Sequence, residues 1–558
     1  MKKTFLTISL LVLALAFIVS CGDSKKTDSG DTDTSDSEPS GEVDTDSPDT
    51  ENQNVNCGNR TVDAGEVCDG DAKECSAVDA GYTGGIATCK ADCSGYDTTG
   101  CSGTQSDPTD PTNPTDPTNP TNPTDPTDPT NPGPVGDVEF ERITVDDNPY
   151  NPAFVTVDDL DEDGNLDMIV AQYGPSTNLQ MKGRYDIYWG TGNLSQWTRE
   201  ELNIGGDIKF PHPVKVADLN GDGKKDLVLP GGFLACSANP LAGGDCGVLF
   251  WLENNGGGRS NSWTRHDVVS MGYDHFFFDV ELEDVDGDGI LDILTNASKK
   301  TASLIGSGEQ DEILMWFKGT DTAERFDSTK RIISSGNGGP FPRFVDLNGD
   351  GRKDIALAQY FNADITTNGS FIWFEQGASA ENWTKHIIDN ESGESFMLEI
   401  IDDLCGDDVR RAVGVNHVNT SDTPNGPKEG VFVFDIPADP TQKWSKKDIS
   451  NGIQSRKSPM TGPQGAPGLF GYGDITGNGL TDLVVSGDGD SRVFWFEQTT
   501  SCNFVQHTLD GVAGASINST GSFGQAGGMK IVDLDNDGKN EIVVTLYEDN
   551  KLYIYKVK

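Results

Sequence analysis

Six short stretches of this chain place oxygen-bearing side chains at the first, third, fifth and ninth positions of a loop, with glycine at the sixth. They are Asp159, Asp161, Asp163 and Asp167; Asp218, Asn220, Asp222 and Asp226; Asp284, Asp286, Asp288 and Asp292; Asp346, Asn348, Asp350 and Asp354; Asp474, Thr476, Asn478 and Asp482; and Asp533, Asp535, Asp537 and Glu541. Carboxylates set this close repel one another unless a cation neutralises them. Calcium suits them, because it is a hard ion that surrounds itself with about six to eight oxygens. A tight turn aims successive side chains inward, and the glycine supplies the positive φ the turn requires. The seventh residue adds a main-chain carbonyl, which brings in Asn165, Lys224, Ile290, Arg352, Leu480 and Lys539. The expectation is about six structural calcium sites, one per loop. By carboxylate count, the loops beginning at 159, 284 and 533 should bind most tightly and the loop at 474 most weakly.

An EF-hand would need Glu at the twelfth position, between helices. That position holds Val170, Leu229, Thr295, Leu357, Val485 and Val544, each in a stretch that reads as a strand. A seventh copy, Asp403-Leu-Cys405-Gly-Asp407-Asp408-Val-Arg-Arg411, has Asp in place of the glycine and Arg in place of the last carboxylate. No metal is expected there.

The elements that must hold these loops repeat with them. First residues of the seven copies step by 59, 66, 62, 57, 71 and 59. A period near 60 is long for a helical solenoid and right for a four-stranded propeller blade. An aromatic opens each unit, at Phe140, Trp197, Trp263, Phe326, Trp383, Trp444 and Phe504. An aromatic strand near the unit's end reads Phe250-Trp251-Leu252, Met315-Trp316-Phe317, Ile372-Trp373-Phe374 or Phe494-Trp495-Phe496, with weaker versions at Tyr188-Trp189, Phe432-Val433-Phe434 and Tyr553-Ile554-Tyr555. All nine Trp fall at one of these two places, which argues for packing between blades rather than a Trp-lined cleft. Helical periodicity is nearly absent, and the fold class is all-β. Residues 137–558 are expected to form a seven-bladed β-propeller, whose ring closure removes exposed sheet edges.

The repeated loops and strands resemble FG-GAP/VCBS repeats, the calcium-binding blades of integrin α-subunit propellers and of many bacterial surface proteins. The resemblance covers 137–558. It implies structural calcium in hairpin loops at the blade rim and a binding role for the propeller.

Composition sets the surroundings. Ninety Asp and Glu against 41 Lys and Arg give a net charge of -49, a field that repels nucleic acid. Lys2 and Lys3 precede an apolar run over 4–19, the pattern of a signal peptide. The run ends Ile18-Val19-Ser20-Cys21, which resembles a bacterial lipobox and implies lipidation of Cys21 after removal of 1–20. With Gly22 after it, an outer-membrane or cell-surface lipoprotein is the expected destination. Residues 21–56 are acidic, carry almost nothing apolar and should be a disordered tether. Residues 102–136 contain Asp-Pro-Thr and Asn-Pro-Thr repeats, which favour a polyproline II spacer.

Between these linkers, residues 57–101 carry Cys57, Cys68, Cys75, Cys89, Cys93 and Cys101. An exported segment this short needs staples in place of a core, so the six read as a small disulfide-rich module of undetermined connectivity. Its pattern resembles a cysteine-rich repeat of myxobacterial surface proteins. Cys236 and Cys246 flank one loop and are expected to pair, whereas Cys405 and Cys502 leave two possibilities, a bond or free thiols.

No nucleophile elbow, zinc-protease helix or phosphate loop is visible. His266, His386 and His507 share one repeat position and read as structural, while His212 and His275 sit just ahead of Asp loops, in segments expected to line one face of the ring. The sequence points to a monomeric, membrane-anchored binding or adhesion module for a glycan or protein ligand, and not to an enzyme. A carbohydrate-active lyase, dehydratase or hydrolase on the propeller face is the alternative, and a purely structural envelope protein a third.

Overall fold

A computed structural model describes residues 138–558, apart from 176–181, 233–246, 274, 301–309, 361–368, 421–424, 457–464 and 513–525, together with short stretches between 72 and 103. The chain divides into two compact units, one spanning 25–134 and the other holding 135–558. In the smaller unit, Ala72–Glu74, Tyr82–Cys89, Tyr96–Asp97 and Cys101–Gly103 form one sheet around the central Tyr82–Cys89 strand. The signal peptide, the tether, the proline-rich arm and the cysteine side chains of the 57–101 module lie outside the described residues, as do Cys236 and Cys246.

In the larger unit every regular element is a strand, and the strands form seven antiparallel sheets. This is a seven-bladed β-propeller. First strands of blades II to V touch in succession, as do those of blades VI, VII and I, so they form the inner wall of the ring. The fourth blade shows the plan: Arg343–Val345, Asp354–Ala358, Phe371–Gln376 and Trp383–Asp389, paired in that order from inside to outside. The second and third strands are buried on both faces, which is why they read as unbroken apolar runs.

The repeat unit of the sequence and the blade are offset by one strand. The strand opened by each aromatic is the outermost strand of the preceding blade: Trp383–Asp389, for example, completes the blade that begins at Arg343. The offset closes the ring. Phe140–Asp146, the first strand described in the larger unit, pairs with Lys551–Val557, the last, and becomes the fourth strand of blade VII.

Tryptophan packs the blades as expected. Trp189, Trp251, Trp316, Trp373, Trp444 and Trp495 are buried among the apolar side chains of neighbouring sheets. Inside the ring, Arg343 forks onto Glu399 of blade V at 2.7 and 2.5 Å and reaches Glu281 of blade III, which also takes Lys215 of blade II at 2.8 Å. Four inner strands are thus tied by one ionic chain. Above it, Phe154, Phe278, Phe341 and Phe396 meet from blades I, III, IV and V, with ring centroids 5.9–6.4 Å apart, and plug the centre.

Candidate metal centres

Each Asp loop joins the first strand of its blade to the second. The loops therefore gather at one end of the ring, where the first strand of each blade turns into the second. The loop's shape is set by its backbone. The sixth residue has φ between 81° and 89° in all six intact copies, and Asp408 takes 57° at that place in the degenerate one. Asp tolerates this left-handed geometry better than most residues, so the turn survives in blade V although its ligand pattern does not.

Carboxylates hold the turn before any ion is considered. In the blade II loop Asp218 accepts the backbone N–H groups of Gly221 at 2.7 Å and Gly223 at 2.9 Å, and Asp222 accepts that of Lys224 at 2.9 Å. The ninth residue does something the ligand pattern did not foresee. It is fully buried at the start of the second strand and clasps two segments. Asp226 accepts the N–H of Leu219 within the loop and of Asn254 on the third strand, at 3.0 and 2.9 Å. Asp167, Asp292, Asp354 and Asp482 repeat both bonds, and Glu541 repeats the first. The first, third and fifth residues stay half-buried or exposed around the loop mouth, while the seventh gives its N–H to the fifth.

The donor set fits a hard divalent cation. One carboxylate oxygen from each of Asp159, Asp161 and Asp167 falls within 4.8 Å of the others, as do those of Asp284, Asp286 and Asp292 and of Asp533, Asp535 and Asp537. Those are the three loops richest in carboxylates. In the last of them Asp535 Oδ1 is buried without a hydrogen-bond partner, the condition an ion would relieve, while Glu541 Oε1 lies 3.3 Å from Lys556 Nζ.

A strand position outside the loop pattern supplies five of the six intact loops with a charged neighbour. It stands opposite the ninth residue on the third strand. Where the third loop residue is Asp, the neighbour is cationic: Lys318 meets Asp286 and Asp288, and Lys556 meets Asp535 and Asp537. In blade I that position is Trp189, and Arg259, lying over its ring, reaches Asp161 at 2.7 Å and Asp163 at 3.0 Å. Where the third residue is Asn or Thr, the neighbour is Glu253, Glu375 or Glu497. A signal was present in the repeats, where Trp251-Leu-Glu253, Trp373-Phe-Glu375 and Trp495-Phe-Glu497 contrast with Trp316-Phe-Lys318.

Blade V inverts these charges. Arg411, at the ninth position, forks onto Asp407 at 2.7 and 2.8 Å and reaches Asp435 on the third strand at 2.9 Å. A guanidinium fills the loop from within. Its third residue, Cys405, is disulfide-bonded to Cys502 of blade VI, which decides between the two possibilities the sequence left open.

The histidines divide into two groups. His266, His386 and His507 stack on Trp251, Trp373 and Trp495 with centroids 4.3–4.7 Å apart, a packing role like the one their shared position suggested. His212 and His275 are buried rather than displayed on a face. His212 packs between Phe154 and Phe278 in the central plug, and burial pushes its pKa down to about 3. It is a neutral packing residue at physiological pH.

Burial pushes Asp167, Asp292 and Asp482 up to about 6, against the opposing backbone hydrogen bonds, and raises Asp226, Asp354 and Glu541 as well. An unfolded Asp titrates near ~3.9, so between about pH 4 and 6 the folded state holds more protons than the unfolded one. The ion-free protein should therefore gain stability as pH falls from 7 toward 5. Asp222, Asp288 and Asp537 are shifted down by hydrogen bonds from Lys224, Lys318 and Lys556, and their contribution is lost only below about pH 4. In EDTA the thermal midpoint is expected to be higher at pH 5 than at pH 7.5. With calcium the order should reverse, because protons compete for its ligands. The same order in both conditions would contradict this.

Fold and loops together define a β-propeller of Asp-loop repeats. The FG-GAP-like repeat family matches residues 146–229 and 474–544, toward the two ends of the ring's sequence. No curated protein matches the chain. Among solved structures, one similar chain is an Agrocybe aegerita lectin, described for recognition of non-reducing terminal N-acetylglucosamine. It is 16% identical, with 65% of this chain and 81% of that one covered and a TM-score of 0.35. A periplasmic gluconolactonase of Pseudomonas aeruginosa is 13% identical over 64% and 84%, with a TM-score of 0.40. A thermostable family-43 glycoside hydrolase is 12% identical over 58% and 99%, with a TM-score of 0.31. At these values the likeness says nothing about ligand or reaction.

Proposed function

We propose that this is an exported lipoprotein, anchored through Cys21 at the outer membrane or cell surface, whose calcium-stabilised propeller binds a glycan or protein ligand as a monomer. The anchor, tether and arm are carried by the sequence. The observation that carries the binding role is an aromatic platform at the end of the ring opposite the Asp loops. There Tyr173, Phe210 and Tyr547 are half-buried and in contact, with centroids 4.8 and 5.4 Å apart, and Tyr360 lies 4.9 Å from Phe396. Rings with one apolar face and a polar tip suit sugar faces and protein surfaces alike. Calcium supplies rigidity at the loop end and leaves the platform end for the partner.

The enzyme reading draws on a different feature. Lys530 and Tyr472, on the inner strands of blades VII and VI, are exposed beside the Lys215–Glu281–Arg343–Glu399 chain. The two readings separate experimentally. The mature protein, with calcium, is applied to glycan and protein arrays, and Tyr173→Ala/Tyr360→Ala is applied beside it. Binding that the double variant loses supports the module. No binding to any component, with turnover of a polysaccharide panel that Lys530→Met abolishes, would replace it with the enzyme.

A further inference from the structure

The three third-strand glutamates are built alike except at one atom. The histidine stacked on each tryptophan meets Oε2 of the glutamate: His266 with Glu253 and His386 with Glu375, both at 3.0 Å, and His507 with Glu497 at 3.1 Å. That clamp turns Oε1 toward the loop. In blades II and IV, Oε1 accepts from the third loop residue, Asn220 Nδ2 or Asn348 Nδ2, each at 3.2 Å. In blade VI the third residue is Thr476, which is shorter and has no amide to offer. Glu497 Oε1 and Thr476 Oγ1 are then both buried, and neither has a hydrogen-bond partner. The Glu497 side chain is only 9% exposed. It stands opposite Asp482 in the strand pairing, since Leu483 pairs with Phe496, so it shares the face over which the loop closes. Gln498, next along, ties the two strands through its N–H to Asp482 Oδ1 at 2.8 Å.

Two buried oxygens, one of them a carboxylate's, lack donors where the third strand faces the loop that holds Asp474 and Asn478. Native proteins rarely leave such atoms unpaired unless water or an ion serves them. The two neighbours in blades II and IV show how the same glutamate oxygen is satisfied when an amide is present. We infer that Glu497 is a ligand of a divalent cation in the loop 474–482, joining Asp474, Thr476 Oγ1 and Asn478. The third carboxylate that the loop lacks in its own sequence comes from the strand behind it. The loop expected to bind most weakly thereby reaches the carboxylate number of the loops in blades II and IV.

This inference rests on the reading of the Asp loops as calcium sites, and the test keeps the two apart. The full mature protein is loaded with calcium and desalted. Bound metal is counted by atomic emission, and affinities come from titration calorimetry. Glu497→Gln keeps size and hydrogen bonding at the position but removes the charge, and Thr476→Val removes the hydroxyl alone. Both should leave the thermal midpoint in EDTA near the wild-type value. Glu497→Gln should lose one ion per chain or weaken one site at least tenfold, and Thr476→Val should weaken that same site less. Wild-type calcium number and affinities in both variants would overturn the role of Glu497 while leaving the other loops standing. A wild-type protein that binds no calcium would overturn the loop reading itself.

Discussion

Stripping divalent ions from the protein is expected to lower its thermal midpoint by on the order of 10 °C or more. The six loops join the first two strands of six blades, so each ion would bridge segments that separate on unfolding. A site held at a hundredfold excess of ion over its Kd contributes about 2.7 kcal/mol. Even three sites at that level contribute about 8 kcal/mol, and at roughly 2 °C per kcal/mol for a large domain the shift is easily measured. The turn itself should persist, because Asp218 and its equivalents are already bonded to the loop's N–H groups. What chelation restores is repulsion among carboxylates such as Asp533, Asp535 and Asp537, whose oxygens converge within 4.8 Å. Scanning calorimetry with calcium, with EDTA, and with EDTA followed by excess calcium checks this. Identical midpoints in all three would remove calcium from the account of stability.

The second large effect concerns blade V. Opening the Cys405–Cys502 bridge, by Cys405→Ser with Cys502→Ser, is expected to cost about 2–5 kcal/mol. The bond spans a sequence separation of 97 residues, and a loop of that size is strongly restricted in the unfolded chain. It also joins the one loop without an intact ligand set to the neighbouring blade, where Cys502 N–H is held by Gln498 Oε1 at 2.7 Å. The cross-link and the Arg411–Asp407 fork take over the fastening that ions would provide elsewhere. Urea unfolding of the oxidised wild type and the double variant, both saturated with calcium, gives the difference directly. An unchanged midpoint would mean that the bridge adds nothing to the guanidinium fork.

Much of the fold was legible because its signals are local and repeated. The loop spacing recurs seven times with a nearly constant step, with glycine at the sixth position in six of the copies and aromatics opening each unit. Repetition raised each weak signal above coincidence, and the number of blades followed from counting. The acidic side chains that gather at the loop mouths were legible for the same reason. The double use of the ninth residue was not, since its bonds to the third strand join Asp226 to Asn254 and Asp482 to Gln498, partners that no spacing rule connects. Glu497 was missed because carboxylates were counted along the loop, whereas a cation counts them in space. His212 was expected near a face and lies in the plug, because an apolar neighbourhood assembled from Phe154 and Phe278 of two other blades is invisible from its own segment.

The division has a physical cause. Turn geometry, strand alternation and loop chemistry depend on residues within about ten positions of one another, and their energetics are written in short stretches of sequence. Seven copies of such a stretch, none able to bury its own faces, leave a closed ring as the natural solution. Which strand seals that ring, which cysteines meet, and which oxygen is left unpaired all depend on contacts between residues tens to hundreds of positions apart. Phe140 pairing with Val557 is the extreme case. Those contacts form only once the blades have packed, so they belong to the assembled propeller and to no segment of its chain.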